Sequence, residues 1–519
     1  MTSEETFQEP SGSDHRDAKD LIQGALLNYL GMAAKVSKVL FLFVAARLYG
    51  PQDLGLYLLA WSVVDISSKF GLWGLDRSII RDIARYRTDD SPEVRETLSG
   101  ILKFNLGLSI GLSAVAAAGA FLLAPVIALK IFHDPALLQP IRILTIALPF
   151  VVQTQMLIAT TKAQRTMKYE VLIRQGLEPL TLLLLTVGLL PFKLGAVGLV
   201  SAHVGASFVA VLGAAFVAYR KYGYVGWTKQ PLPRAIKRET IRYTSPMALM
   251  DFLTLMVARM DILLIGYFLN SSAAGIYGIA VEMISIIKRV RQGFEPIFAP
   301  IVSELHYHNK KEQLHRNYVV VTRWLMAGTL LPVLAMTLFS HQILSLFNEQ
   351  AARASDVLVV LAISHGIFGI FSAAESVLVM TGKTLLNTLL AAGMLLVNTI
   401  LTIIFIPLWG LVGAAMGMLA AHIFVSVARV LWVYRTYHLN PFGTALVWPL
   451  FTGSVVFLVF YFARFMVHID SLFATATTLL LLLLTYFSLF FVGAAEPEEK
   501  HLLDQLKDKF VKRTARLRT

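Results

Sequence analysis

Fourteen apolar runs, each long enough to cross a bilayer, follow one another between residues 21 and 493. Nothing else in the sequence limits the fold as strongly. About 20 apolar residues reach across the hydrocarbon core as a helix, and inside lipid the backbone must satisfy its own hydrogen bonds. The runs are 21–47, 53–76, 99–129, 138–161, 170–190, 194–219, 241–268, 273–299, 319–340, 353–381, 385–407, 410–434, 444–466 and 471–493. The first, second, seventh and eighth carry charged residues, so hydropathy by itself scores them low. Composition agrees with the pattern: 56% of the 519 residues are hydrophobic and 15% charged, where soluble domains carry about 25%. The predicted class is all-α, a polytopic membrane protein of about 14 transmembrane helices.

Lys and Arg set the orientation. With the N-terminus in the cytosol, 36 of the 46 basic residues fall on cytosolic segments and six on the opposite side. That asymmetry predicts cytosolic N- and C-termini and accounts for the net charge of +13 without a nucleic-acid partner. Residues 1–20 are polar and net acidic, and read as a cytosolic tail rather than a signal peptide. Residues 494–519 read as an amphipathic tail helix. Acids lie at its start, Leu502, Leu503, Leu506 and Phe510 share a face, and basic residues fill its last turn, suited to anionic lipid. Ser78 to Arg87 has the same alternation and is expected to lie in the membrane interface. Cysteine is absent, which excludes disulfides, thiolate catalysis, cysteine-based zinc sites and iron–sulfur clusters.

The chain repeats itself. Gly55-Leu56-Tyr57 matches Gly275-Ile276-Tyr277 at an offset of 220. Gly195-Ala196-Val197-Gly198 matches Gly410-Leu411-Val412-Gly413, and Tyr219-Arg220-Lys221-Tyr222 matches Tyr434-Arg435-Thr436-Tyr437, both at 215. Each match falls at the same point of the topology. A unit of six spans keeps its orientation on duplication, so the prediction is two six-helix lobes related by a pseudo-two-fold axis along the membrane normal, plus two extra C-terminal helices. That is a transporter architecture with the substrate between lobes. The expected division is a tail over 1–20, a first lobe over 21–219, a basic linker over 220–240, a second lobe over 241–435, the extra helices over 444–493 and the tail over 494–519.

Charges inside spans are the candidate functional residues, because each costs roughly 3 kcal/mol in lipid unless it faces protein or water. Lys35 and Lys38 share one face of the first span, some 20 Å along its axis. They line a cavity or snorkel to a surface. Asp65 and Lys69 are four apart in the second span, a local pair or part of the same cavity. In the seventh span Asp251, Thr254, Ala258 and Asp261 form a stripe, with Arg259 beside it. Its carboxylates are candidate proton or Na⁺ sites, or partners that hold Arg259 in place together with Glu282. Glu375, His365, Asn398, His203 and His422 are isolated polar residues, read first as interhelical hydrogen-bond partners. Asn398 is taken with Asp251 and Asp261 as the ion-coupling set. Glu178-Pro179 marks a kink in the fifth span.

No catalytic constellation is found. Gly382-Lys383-Thr384 lacks the first glycine of a phosphate loop, with Val377 in its place, and His306 and His308 lack a third ligand. The expectation is a non-enzyme with no cofactor and no metal.

Leu48-Tyr-Gly-Pro-Gln-Asp-Leu-Gly-Leu-Tyr57, then Asp261-Ile-Leu-Leu-Ile-Gly-Tyr-Phe-Leu ahead of Gly275-Ile-Tyr277, and Asn398 through Pro407-Leu-Trp-Gly410-Leu-Val-Gly413-Ala-Ala415 resemble polysaccharide flippases of the Wzx type. These belong to the multidrug/oligosaccharidyl-lipid/polysaccharide exporter superfamily, and the resemblance covers residues 20–440. It implies alternating-access translocation of a polyprenyl-diphosphate-linked oligosaccharide across a bacterial inner membrane, for O-antigen, capsule or exopolysaccharide assembly. An ion gradient would drive it, with the lipid bilayer and polysaccharide assembly machinery as further partners. The residues fit, since a diphosphate needs fixed positive charge to cross the midplane. Lys35, Lys38, Asp65, Lys69 and Arg259 are the expected substrate-binding set. The repeat puts Leu255 and Ala258 where the first span has Lys35 and Lys38, so the lobes are expected to contribute unequally. A cation-coupled multidrug exporter, a lipid II flippase and a membrane scaffold are the competing readings.

Overall fold

The structure, a computed structural model, describes residues 37–86, 91–163, 166–222, 232–442, 444–466 and 472–494. Lys35, the N-terminal tail, linker residues 223–231 and the C-terminal tail from residue 495 lie outside the described residues. Every described element is helical. In chain order they are α1 (37–49), α2 (Pro51–Leu72), α3 (Leu75–Tyr86), α4 (Pro92–Pro125), α5 (Leu138–Thr145), α6 (Ala147–Ala163), α7 (Glu178–Leu189), α8 (Ala196–Tyr222) and α9 (Arg234–Phe268). Then come α10 (Ser271–Tyr307), α11 (Lys311–Leu338), α12 (Ser340–Ser345), α13 (Glu349–Ala352), α14 (Ser355–Ile370), α15 (Ala373–Met380), α16 (Thr384–Tyr437), α17 (Thr444–Met466) and α18 (Leu472–Ala494).

Local sequence explains the boundaries. Pro51 opens α2 in the first turn, where its missing N–H costs nothing. Ser91 caps α4 by accepting a hydrogen bond from the Val94 amide at 3.4 Å, ahead of Pro92. Glu178-Pro179 is where a wide-turn segment, Glu170–Leu177, gives way to α7, so the expected kink is a change of helical winding. Gly410, at φ 58° and ψ −132°, breaks α16 where two spans were expected to meet. Gly195, its match in the repeat, sits at φ +56° just ahead of α8. Both glycines occupy the left-handed φ region that a side chain disfavours, so the repeat is written in backbone geometry as well as in letters.

Six described helices are long and apolar enough to cross a membrane, or eight if each bent pair is one span. Those pairs, Pro135–Thr145 with Ala147–Ala163 and Ser355–Ile370 with Ala373–Met380, bend by 41° and 40°. By this measure the expected fourteen is not reached. The charged helices α2, α9 and α10 fall short, and the apolar stretch of α18, Thr477–Phe490, is shorter.

The chain forms two compact units, Met1–Gly278 and Ile279–Thr519, which divide inside α10. Helix α9 packs on α2 and α3 within the first unit.

In the first unit α2 lies against α4, α5, α6, α8 and α9. Leu54, Leu59, Ala60 and Val64 are fully buried there. The repeated glycines meet at one crossing. A Cβ on Gly55 would stand 1.6 Å from the Ser271 carbonyl oxygen, and one on Gly275 2.0 Å from that of Pro51. Only hydrogen fits at either place. Helix α3 packs on α4, α6 and α9 with Ser78, Ile79, Asp82 and Ile83 buried. Its alternation reflects a protein-facing side.

In the second unit α14 packs on α16 and α11. Phe298, Val302, Tyr318, Leu325, Val377 and Val433 belong to one core cluster there. The two helices outside the repeat, α17 and α18, pack on α11 through Leu334, Leu338, Val456, Leu482 and Tyr486. The Tyr486 hydroxyl donates to the Ala327 carbonyl at 2.9 Å. With no water to expel in lipid, such fits rest on dispersion and a few hydrogen bonds.

Candidate functional site: the charged seam of the first unit

Helices α2 and α9 run antiparallel, and their facing residues form a seam. Leu59 packs on Gly266, one of the places where the helices come closest. A turn or two further along α2, Asp65 accepts from Arg259 through Nε at 3.1 Å and Nη2 at 2.9 Å. The side chains are 17% and 21% exposed, enough burial to make the pair matter. Lys69 follows one turn later, half-buried, and Trp73 ends the helix in a left-handed conformation. Past that turn Arg77 of α3 reaches back to Asp251 of α9 in a short hydrogen-bonded ion pair, with Met247 sulfur 3.2 Å from its other Nη.

The geometry gives Asp65, Arg259, Asp251 and Asp261 their partners. The carboxylate of Asp65 goes to Arg259, 194 residues away, and not to Lys69 on its own helix. Arg259 therefore takes neither Asp251 nor Asp261 as its ion-pair partner. Asp251 is held by Arg77, and Asp261 is buried and accepts from the Tyr277 hydroxyl at 2.9 Å. Lys38 is exposed on α1. Asn398, the third residue of the expected ion-coupling set, lies in the second unit. It is fully buried on α16 and accepts from the Thr402 hydroxyl at 3.1 Å.

The tyrosines matched by the repeat hold unlike partners. Tyr277 grips Asp261, whereas the Tyr57 hydroxyl lies 2.8 Å from Nδ1 of His203, whose ring sits 4.2 Å from that of Trp61. His203 is thus an interhelical hydrogen-bond partner, as read from its isolation. The same holds for His422, 2.8 Å from the Ser364 hydroxyl and packed against His365.

Two groupings escaped the sequence. Arg77 lies just past the second span, 53–76, and so is not among the charges inside spans. In the second unit Glu375 binds both Arg429, at 2.9 Å, and Arg291, at 3.1 Å. Both guanidiniums lie over the Phe368 ring, 5.7 and 5.2 Å from its centroid. Neither arginine is among the candidate residues of the sequence analysis, and Glu375 reads there as isolated. Among the described residues no three His, Cys, Asp or Glu side chains come together to hold a metal ion.

A family model described as "Polysaccharide biosynthesis protein" matches residues 44–344. No curated protein matches the sequence. Among solved structures, the lipid II flippase MurJ in an inward closed conformation is 14% identical, with a TM-score of 0.72 over 90% of this chain and 98% of that one. A multidrug resistance MATE transporter of the MOP superfamily, inward-facing, is 15% identical, with a TM-score of 0.61 over 78% and 94%. A MOP superfamily transporter from Pyrococcus furiosus is 16% identical, with a TM-score of 0.55 over 80% and 94%. At these identities the likeness is one of fold.

Proposed function

We infer the function from one premise: this chain belongs to the polysaccharide biosynthesis protein family, whose model spans residues 44–344 and so includes the whole seam. It is a multi-pass membrane protein with the fold of the exporter superfamily. The reading we propose is a flippase that carries a polyprenyl-diphosphate-linked oligosaccharide across the bacterial inner membrane by alternating access, with both termini in the cytoplasm. The family match carries this reading. The chemistry of the residues supports it, because moving a diphosphate through a low-dielectric midplane calls for fixed cations.

The weight among those cations shifts. Arg259 is already neutralised by Asp65, so it positions the seam more than it supplies free charge. Lys35, Lys38 and Lys69 carry the proposed counter-charge, all from the first repeat. Asp251, Asp261 and Asn398 remain the proposed ion-coupling residues.

A lipid II flippase is the second reading, favoured by the near-complete structural coverage of MurJ. Both substrates present a polyprenyl diphosphate and differ in the head group. A cation exporter fits less well with lysines in the first two helices.

The test is transport in proteoliposomes of a fluorescent polyprenyl-diphosphate oligosaccharide and of lipid II, with and without pH and Na⁺ gradients. The proposal expects faster flipping of the oligosaccharide and its loss in the Lys35→Gln/Lys38→Gln double variant. Equal transport by that variant at equal protein levels sinks the counter-charge role. Movement of lipid II alone selects the second reading.

A further inference from the structure

The seam opens between two close approaches of α2 and its neighbours. On one side of the gap Leu59 closes on Gly266 and Asp65 on Arg259. On the other, Gly74 approaches so closely that a Cβ would stand 2.9 Å from the Thr244 carbonyl oxygen. Between them is a cavity of ≈ 270 Å³. Phe70, Trp73, Leu249 and Phe252 make its apolar wall, and Ser245 and Lys69 its polar part. Phe70 and Leu249, 48% and 60% exposed, form the mouth.

The polar groups of this wall are spent, with one exception. The Trp73 indole N–H donates to the Ser245 hydroxyl at 3.3 Å, which itself donates to the Ile241 carbonyl at 2.8 Å. The acids flanking the gap, Asp65 and Asp251, are held by Arg259 and Arg77. Among the described residues no carboxylate lies within ion-pair distance of Lys69. Asp76 is close enough to feel its charge without pairing with it. A half-buried ammonium with no ion-pair partner among the described residues, at the edge of an aromatic cavity, calls for a ligand with an anionic head and an apolar body.

We propose that this cavity binds the phosphate end of an isoprenoid chain, with a phosphate oxygen on Lys69 Nζ and the first isoprene units against Phe70, Trp73 and Phe252. The inference rests on the flippase reading and adds that the protein grips the lipid carrier itself and does not leave the whole tail to the bilayer. Size agrees: a cavity of about 150 Å³ admits benzene, so this one admits roughly ten carbons, about two isoprene units. A diacyl phospholipid carries its phosphate behind a glycerol and two chains, too bulky a neck for a single gap of this volume.

The experiment uses the full-length protein in phosphatidylcholine nanodiscs and radiolabelled farnesyl phosphate. Saturable binding is expected. Farnesol and inorganic phosphate, each lacking half of the recognised chemistry, should bind at least ten-fold more weakly. Lys69→Gln removes the charge, and Leu249→Trp fills the mouth from an exposed position that leaves the fold undisturbed. Each should weaken farnesyl phosphate binding ten-fold or more, and Lys69→Arg should retain most of it. The proposal is overturned if farnesyl phosphate fails to bind the unaltered protein or if both weakening variants bind normally. It is also overturned if phosphatidylglycerol competes equally well, which would make this a general anionic-lipid site. Oligosaccharide flipping without farnesyl phosphate binding removes this inference alone. Binding without flipping of any lipid-linked glycan removes the functional reading and keeps the site.

Discussion

The first unit's seam and the second unit's Glu375 cluster are both knots of charge among apolar helices, yet they are built on opposite plans. In the seam each acid has one guanidinium, Asp65 with Arg259 and Asp251 with Arg77, and a lysine is left over beside a cavity. In the cluster one carboxylate serves two guanidiniums, Arg429 is 5% exposed, and the adjoining space is ≈ 10 Å³, about one water. Arg291 also lies 3.7 Å from Glu295, so that knot is closed by its own residues. A sealed network fixes the packing of α10, α14, α15 and α16. An open one, with charge to spare and room beside it, can receive a ligand.

The contrast can be broken at its strongest point first. Glu375→Gln strands the buried Arg429 guanidinium and leaves the half-buried Arg291 with Glu295 alone, and breaking a buried pair costs about 3–5 kcal/mol. Thermal unfolding of the purified protein should show a marked loss of Tm, larger than for any seam variant. A stable Glu375→Gln protein would mean that the cluster is not sealed.

Gly55→Ala comes next. Its methyl meets a backbone oxygen that cannot rotate away, so α2 must shift at the crossing with α10. Overpacking of this kind costs about 1–3 kcal/mol. Because the shift also displaces Asp65, glycan export should fall by more than Tm does.

A double-mutant cycle on Asp65→Asn and Arg259→Gln should give a coupling of about 1–2 kcal/mol, intermediate because the pair is partly solvated. Coupling near zero would make the seam's central pair incidental. Smallest of all, Arg85→Gln removes an exposed pair with Glu239 at 3.5 Å and should change stability by no more than about 0.5 kcal/mol.

Much of this was legible in the letters. Gly55 and Gly275 were matched by offset, and they prove to share a crossing where only hydrogen fits. Gly195 and Gly410 were matched likewise, and both take left-handed φ. Such residues are readable because glycine's role is local, a question of φ or of one missing Cβ. The bends at 41° and 40°, and the wide-turn segment before α7, left no comparable signal. The pattern of α3 showed that one face is covered, and only the packing on α4, α6 and α9 showed by what.

By itself, the sequence determined the helices, the duplication and the asymmetry that puts Lys35, Lys38 and Lys69 in the first repeat, because span length, offset and residue type are properties of the letters. Tertiary structure decided the partners: Arg259 with Asp65, Arg77 with Asp251, Tyr277 with Asp261, and Glu375 with two arginines. Periodicity tells which side of a helix a charge occupies, while Coulomb attraction and hydrogen-bond geometry act over a few ångströms between groups that the chain holds up to 194 residues apart. Lys69 is the case where both are needed. Its letter marks a charge out of place, and only the packing of α2 on α9 leaves that charge, among the described residues, without an ion-pair partner beside a cavity.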